Sequence, residues 1–243
     1  LFHLANIFLV YLVARKLSKG NSIISLTTAL LFALHPMHVE SVAWVSERKD
    51  VLYGFFFLLG LISYIKYADN NSRSSYLHCI LWFLLSLASK PAAVIFPITL
   101  FTIDFFRNRK SSLLIFTEKI PFLIFAVMIG YFTIHNQVTE GALDTENYYS
   151  VYNRFFFGFY GFLMYQIKLL LPLNLATFYP FPSIITALPL VYYLSPVIFI
   201  AIIILCIKTI KNTKVISFGF SFYFVNLLLV LQFFSVGSAI IAD

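Results

Sequence analysis

"LTTALLFALHPMHVESVAWVSERKDVLYGFFFLLGLISYIKY", residues 26–67, sets two long apolar runs on either side of one charged patch. Within it, residues 35–50, "HPMHVESVAWVSERKD", hold two His, two Glu, one Asp, one Arg and one Lys in sixteen positions. Apolar runs joined by short polar stretches read as membrane-crossing helices rather than as the striped helices of a soluble core. The patch then marks a junction between two spans, where charge meets water at little cost.

Composition extends this reading to the whole chain. Of 243 residues, 60% are hydrophobic and 11% charged, against roughly a quarter charged in soluble domains. The 29 Phe and 15 Tyr suit lipid-facing helices with aromatic ends near the headgroups. A net charge of +7 would suit nucleic acid only if a polar domain carried it. No such domain is evident, so the expected partner is the lipid bilayer and nucleic acid is not expected. Cys79 and Cys206 lie in apolar segments and read as small core residues without a disulfide.

The expected fold class is an all-α polytopic membrane protein with about eight spans: 1–15, 22–35, 51–67, 76–89, 91–106, 113–134, 190–210 and 215–235. Residues 1–243 read as one transmembrane domain, cut at both ends. Pro91, after "SK", reads as a tight turn between antiparallel helices. Basic residues set the orientation. Arg15, Lys16 and Lys19, Lys66 and Arg73, Arg107, Arg109 and Lys110, and Lys208, Lys211 and Lys214 are 11 of the 17 Lys and Arg. They share one side, the cytoplasm by the positive-inside rule, if 155–171 lies in the outer interface instead of crossing. The other side receives Glu40, Glu47, Asp50, Glu140, Asp144, Glu146 and Asp243, seven of ten acidic residues.

The patch at 35–50 is the first site candidate. His35-Pro36 closes one helix and opens another, since proline is tolerated in a first turn. A short interfacial helix over 36–50 would show Val39, Val42, Ala43 and Ser46 on one face and Glu40, Trp44, Glu47 and Arg48 on the other. Such charges could simply meet water beside the headgroups. Imidazole, carboxylate and cation at the mouth of a helix bundle also suit the positioning of a reacting group. Zinc on His35, His38 and Glu40 is disfavoured by the intervening Pro36 and the missing fourth ligand. No cofactor is expected beyond a loosely held divalent cation on oxygen ligands. Lys90 reads either as a snorkelling lysine or as a cation for a phosphate. Arg154 and Lys168 are weaker candidates of that type, and Asp243 is a possible site residue. His3, His78 and His135 read as packing or interfacial residues.

"LHPMHVESVAWVSERKDVLYGFFFLLGLISYIKY" (34–67) resembles the segment after the third span of transmembrane tetratricopeptide-repeat O-mannosyltransferases and their bacterial relatives. "LFHLANIFLVYLVARKL" (1–17), "LASKPAAVIFPITLFTIDFF" (87–106), "LPLNLATFYPFP" (171–182) and "VGSAIIAD" (236–243) are similar to further blocks of those proteins, in the expected order. The resemblance implies a GT-C polytopic glycosyltransferase. It implies a sugar donor on a polyprenyl phosphate, inversion at the sugar carbon, and a hydroxyl acceptor, often a protein Ser or Thr, on the outer or lumenal face. The main base of such enzymes sits in a first outer loop, expected ahead of residue 1, and repeats are expected after the membrane domain. The piece alone is therefore expected to be inactive. Carried onto this sequence, Glu40 becomes a supporting carboxylate, and His35 and His38 orient the acceptor or sugar. Arg48 and Lys90 bind the donor phosphate, with Asp50 holding Arg48. The closer match to bacterial relatives favours the bacterial inner membrane over the endoplasmic reticulum. The rival reading is a transporter or flippase of lipid-linked or small solutes, which would place charge near the membrane midplane and show paired repeats.

Overall fold

Prolines and left-handed residues punctuate the apolar runs, and the helices end where they fall. The computed structural model describes residues 1–44, 47–109, 113–139, 150–176, 179–182, 188–233 and 239–241. Ser46, Lys110, Glu140, Asp144, Glu146 and Asp243 lie outside the described residues. The chain divides into two units, Leu1–Phe132 and Thr133–Asp243.

In the first unit, α1 (Phe2–Leu17) and α2 (Ser22–Leu34) are joined through Lys19 and Gly20, both at positive φ. Asn21 caps α2 by accepting the Ile24 amide at 3.1 Å. His35 is extended because Pro36 follows it. A 3-10 turn (Pro36–His38) and a short α3 (Val39–Ala43) come next, turned 56° from α2, the geometry of a broken span or a re-entrant turn. The expected helix over 36–50 therefore stops early: Trp44 is extended, and Arg48 and Asp50 belong to the first turn of α4 (Arg48–Asn70). Asp50 near the N-terminus of this 23-residue helix favours starting it there.

Asn71, at φ 50°, ends α4, and Ser72 caps α5 (Arg73–Ser89). A 3-10 turn (Pro91–Ile95) leads into α6 (Phe96–Phe106), so the turn expected at Pro91 is one element longer than a simple joint. The span expected at 113–134 is interrupted at Glu118 and Lys119, between α7 (Leu113–Thr117) and α8 (Ile120–Thr139). α4 is the centre of the unit and packs against α1, α3, α5 and α6. Its buried face holds Phe57, Leu61, Tyr64 and Ile65; Phe57 meets Phe96 of α6 edge-on, and Phe96 stacks on Phe83 of α5. Gly60 makes this possible: a Cβ there would lie 2.8 Å from the Phe96 ring. Gly60→Val is expected to cost about 1–3 kcal/mol by displacing that ring, read as a lower thermal midpoint in detergent.

In the second unit, Ser150 caps α9 (Val151–Leu170). One stripe of α9, including Phe157, Phe162, Tyr165 and Lys168, is buried, and α9 packs on α10 (Leu190–Thr209), which also contacts α11 (Val215–Leu227). Phe162 meets Phe199, Phe220 and Phe224 edge-on. Two very short strands, β1 (Tyr179–Pro180) and β2 (Ala239–Ile241), pair antiparallel, and β2 lies against α9. Tyr179–Pro180 and Ala239–Ile241, far apart in sequence and drawn from two of the blocks singled out above, are thus neighbours.

This is a predominantly helical integral membrane protein, and helices cover much of each expected span, although α11 stops at Leu227, short of the expected 235. Among the described residues, Arg48–Asn70, Leu113–Gln137 and Leu190–Thr209 are long and apolar enough to cross a membrane; counting the bent pair at 22–43 as one span would make four. α9 is not among them; it carries Asn153, Arg154, Gln166 and Lys168.

Candidate functional site

The chemistry-bearing residues of the first unit gather at the end of α2 and the start of α4. His35 caps the 3-10 turn, its Nδ1 accepting the Met37 amide at 3.3 Å. The His38 ring packs on Phe32 with centroids 4.4 Å apart and lies 6.2 Å from the His35 ring. His3, read from the sequence as a packing or interfacial residue, packs here: its ring sits 5.9 Å from His38 and 5.6 Å from Phe32. Glu40 follows in α3, half-buried, with no ion pair or hydrogen bond to its carboxylate among the described residues.

At the start of α4, Lys90 Nζ donates to Asp50 Oδ1 at 2.5 Å, with both side chains partly exposed. The pairing expected between Asp50 and Arg48 does not form, because residues two apart on a helix do not face each other. Arg48 is exposed, without a hydrogen bond or ion pair among the described residues. Nearby, the buried Asn6 donates to the Val51 carbonyl at 2.8 Å, tying α1 to the same turn of α4. α3, which carries Glu40, packs on α4, whose first turn carries Arg48 and Asp50. Among the described residues no group of three His, Cys, Asp or Glu is placed to hold a metal.

In the second unit, Arg154 is half-buried in the first turn of α9. Lys168 is buried, and its Nζ donates to the Tyr179 hydroxyl at 2.6 Å and to the Asn174 carbonyl at 3.2 Å. The same hydroxyl accepts the Ala176 amide at 2.8 Å. Lys168 thus fastens the loop that leads into β1.

The densest polar cluster lies toward the other end of α4 and was not singled out from the sequence. Lys119, 0% exposed, pairs with Asp104 and with Glu118 at 3.2 Å. Arg109 pairs with Glu118 at 2.5 Å and Asp104 at 3.2 Å. The Tyr64 hydroxyl contacts both Asp104 (2.7 Å) and Glu118 (3.0 Å), and Tyr67 donates to Glu118 at 3.0 Å. Two carboxylates and two cations balance here, and the tyrosines satisfy remaining lone pairs, which is the condition for tolerating buried charge. Arg107 pairs with Asp69 at its edge. The signal available in the sequence was the adjacent Glu118 and Lys119 inside an otherwise apolar run.

No protein-family profile matches the chain, and no solved structure matches it. Curated relatives do. The chain is 28% identical over 193 residues to a protein O-mannosyl-transferase of Caenorhabditis elegans, covering 76% of this chain and 27% of that protein. It is 43% identical over 63 residues to the human Protein O-mannosyl-transferase TMTC4, covering 26% of this chain and 8% of that protein. It is 41% identical over 77 residues to human TMTC1, covering 29% of this chain and 9% of the relative. The matched stretch spans about a quarter or less of these relatives' length. The chain is therefore similar to the O-mannosyltransferases that its sequence blocks resemble. These relatives are animal proteins and lend no support to a bacterial inner membrane.

Proposed function

We propose that the chain is the membrane-embedded part of a glycosyltransferase. It would move a sugar, mannose by analogy with the relatives' names, from a polyprenyl-phosphate donor to a Ser or Thr hydroxyl of a protein on the outer or lumenal face. The observation that carries this reading is the likeness, over 76% of the chain, to a protein named as an O-mannosyl-transferase. The α2–α4 junction suits the chemistry. The acceptor hydroxyl loses its proton as it attacks, so a carboxylate without an ion-pair partner among the described residues, Glu40, is well chosen to support a main base proposed ahead of residue 1. The attack opens one C–O bond on the face opposite the one it forms, which inverts the sugar carbon. The bond that breaks leaves its electron pair on the lipid phosphate.

Cations stabilise that leaving phosphate in a partly dry site. Arg48, exposed and unpaired among the described residues, is the first candidate. Lys90, already held by Asp50, is the second. His35 and His38 are proposed to orient the acceptor or sugar. Arg154 and Asp243 are proposed as further contacts, and Lys168 as support for its loop. A loosely bound divalent cation remains part of the proposal and carries no step in it. In the whole protein, Glu40→Gln and Arg48→Ala are each expected to lower transfer from a polyprenyl-phosphate sugar to an acceptor peptide by about 100-fold, the scale for losing one transition-state contact. Unchanged transfer in both variants would overturn the assignment, as would solute movement without transfer.

A further inference from the structure

The 56° bend that carries Glu40 is bordered by imidazole contacts, one of which requires a neutral ring. His35 Nδ1 accepts the Met37 amide at 3.3 Å, and a protonated ring has no lone pair to offer there. The His38 amide bonds back to the His35 carbonyl at 3.1 Å, which closes the turn and brings the two rings to one side. The His38 ring then packs on Phe32 of α2 at 4.4 Å and beside His3 of α1 at 5.9 Å. His3 itself stacks on Phe32, with planes 26° apart. Two imidazoles, His3 of α1 and His38 of the 3-10 turn, thus share one phenyl ring, and His35 lies beside the second at 6.2 Å. A positive charge on His38 faces the other two rings and loses hydration on entering the group.

We propose that His3 is a positioning residue that completes an imidazole latch with His35 and His38. The latch holds the Pro36–Ala43 segment, and Glu40 with it, against α1 and α2, and it opens on acidification. The inference rests on the proposed function only for what Glu40 does; the latch itself rests on the ring geometry. His3 and His35 are the titratable groups that bear on His38, Phe32 faces it from α2, and Glu40 follows two residues later on α3. Burial first, then His3 and His35, push His38 down from 6.5 to about 4. In the released segment the ring returns to its ordinary value and binds a proton more readily than in the latch. The latch is therefore at full strength above about pH 6.5, weakens as pH falls toward 4, and changes little below that. By pH 5 the balance has moved about 30-fold toward the released state.

The test is amide hydrogen exchange of residues 36–43 in the protein embedded in lipid nanodiscs, at about pH 7 and about pH 5, each divided by the intrinsic exchange rate. The wild type is expected to lose protection about 20-fold between the two. His38→Phe keeps a ring on Phe32 and does not titrate, so its protection should be nearly equal at both. His3→Leu should loosen the segment already at pH 7, and His3→Phe, which restores the stacked ring, should recover it. Equal protection in the wild type at both pH values would overturn the latch, as would an undiminished acid response in His38→Phe. Sugar transfer measured on the same samples separates the two ideas. Exchange that responds to acid while transfer does not supports the latch and removes Glu40 from the transfer site.

Discussion

Asp104→Ala lowers the stability of the first unit by about 3–5 kcal/mol, the cost of leaving a buried charge without its partner. Asp104 is 4% exposed, and it pairs with the fully buried Lys119 as well as with Arg109. Without it, two cations face one carboxylate, and the Tyr64 hydroxyl loses its 2.7 Å acceptor. Asp104→Asn keeps an acceptor for Tyr64 and should fall between wild type and alanine. Replacing both members of the pair, as in Asp104→Leu with Lys119→Met, should cost far less than either single change, because apolar packing substitutes well for a buried ion pair. Thermal unfolding in a fixed detergent checks the series. A double variant destabilised by the sum of the two single changes would show that these charges act separately.

Tyr179→Phe weakens the second unit by about 1.5–3 kcal/mol, the range for a hydrogen bond to a charged group. One oxygen is lost, and three contacts go with it: the 2.6 Å bond from Lys168, the 2.8 Å bond from Ala176 and the 3.2 Å bond to Asn174. The loop between α9 and β1 should then open to protease before the helices melt. Adding Lys168→Met should recover part of the loss, because it removes the buried ammonium whose partner was deleted. Protease resistance equal to wild type would mean that Lys168 does not fasten the loop.

Much of the helical plan was legible because local chemistry fixes it. Pro36 and Pro91 stop helices at the residue before them, and Asn21 and Ser72 cap the helices that follow. The site was legible only as a region. Density of charge at 35–50 identified the junction, but pairing within it depends on helix phase. Asp50 and Arg48 sit two residues apart and diverge, so Asp50 meets Lys90, forty residues away. His3 joined the histidines only through the packing of α1 on α2. The network of Asp104, Arg109, Glu118 and Lys119 was least visible of all. Its members come from three elements, and each alone resembles a charge at a helix end.

α4 is bolted at both ends. Its first turn is tied to Lys90 through Asp50, and some fourteen residues further on, about 21 Å by helical rise, Tyr64 is tied into the buried network. Each added residue turns a helix by about 100°. An insertion of one residue between Asp50 and Tyr64 would therefore leave the helix intact and still break one of the two bolts. The segment has a fixed phase as well as a fixed length, and the turn that presents Arg48 is indexed to a cluster at its far end.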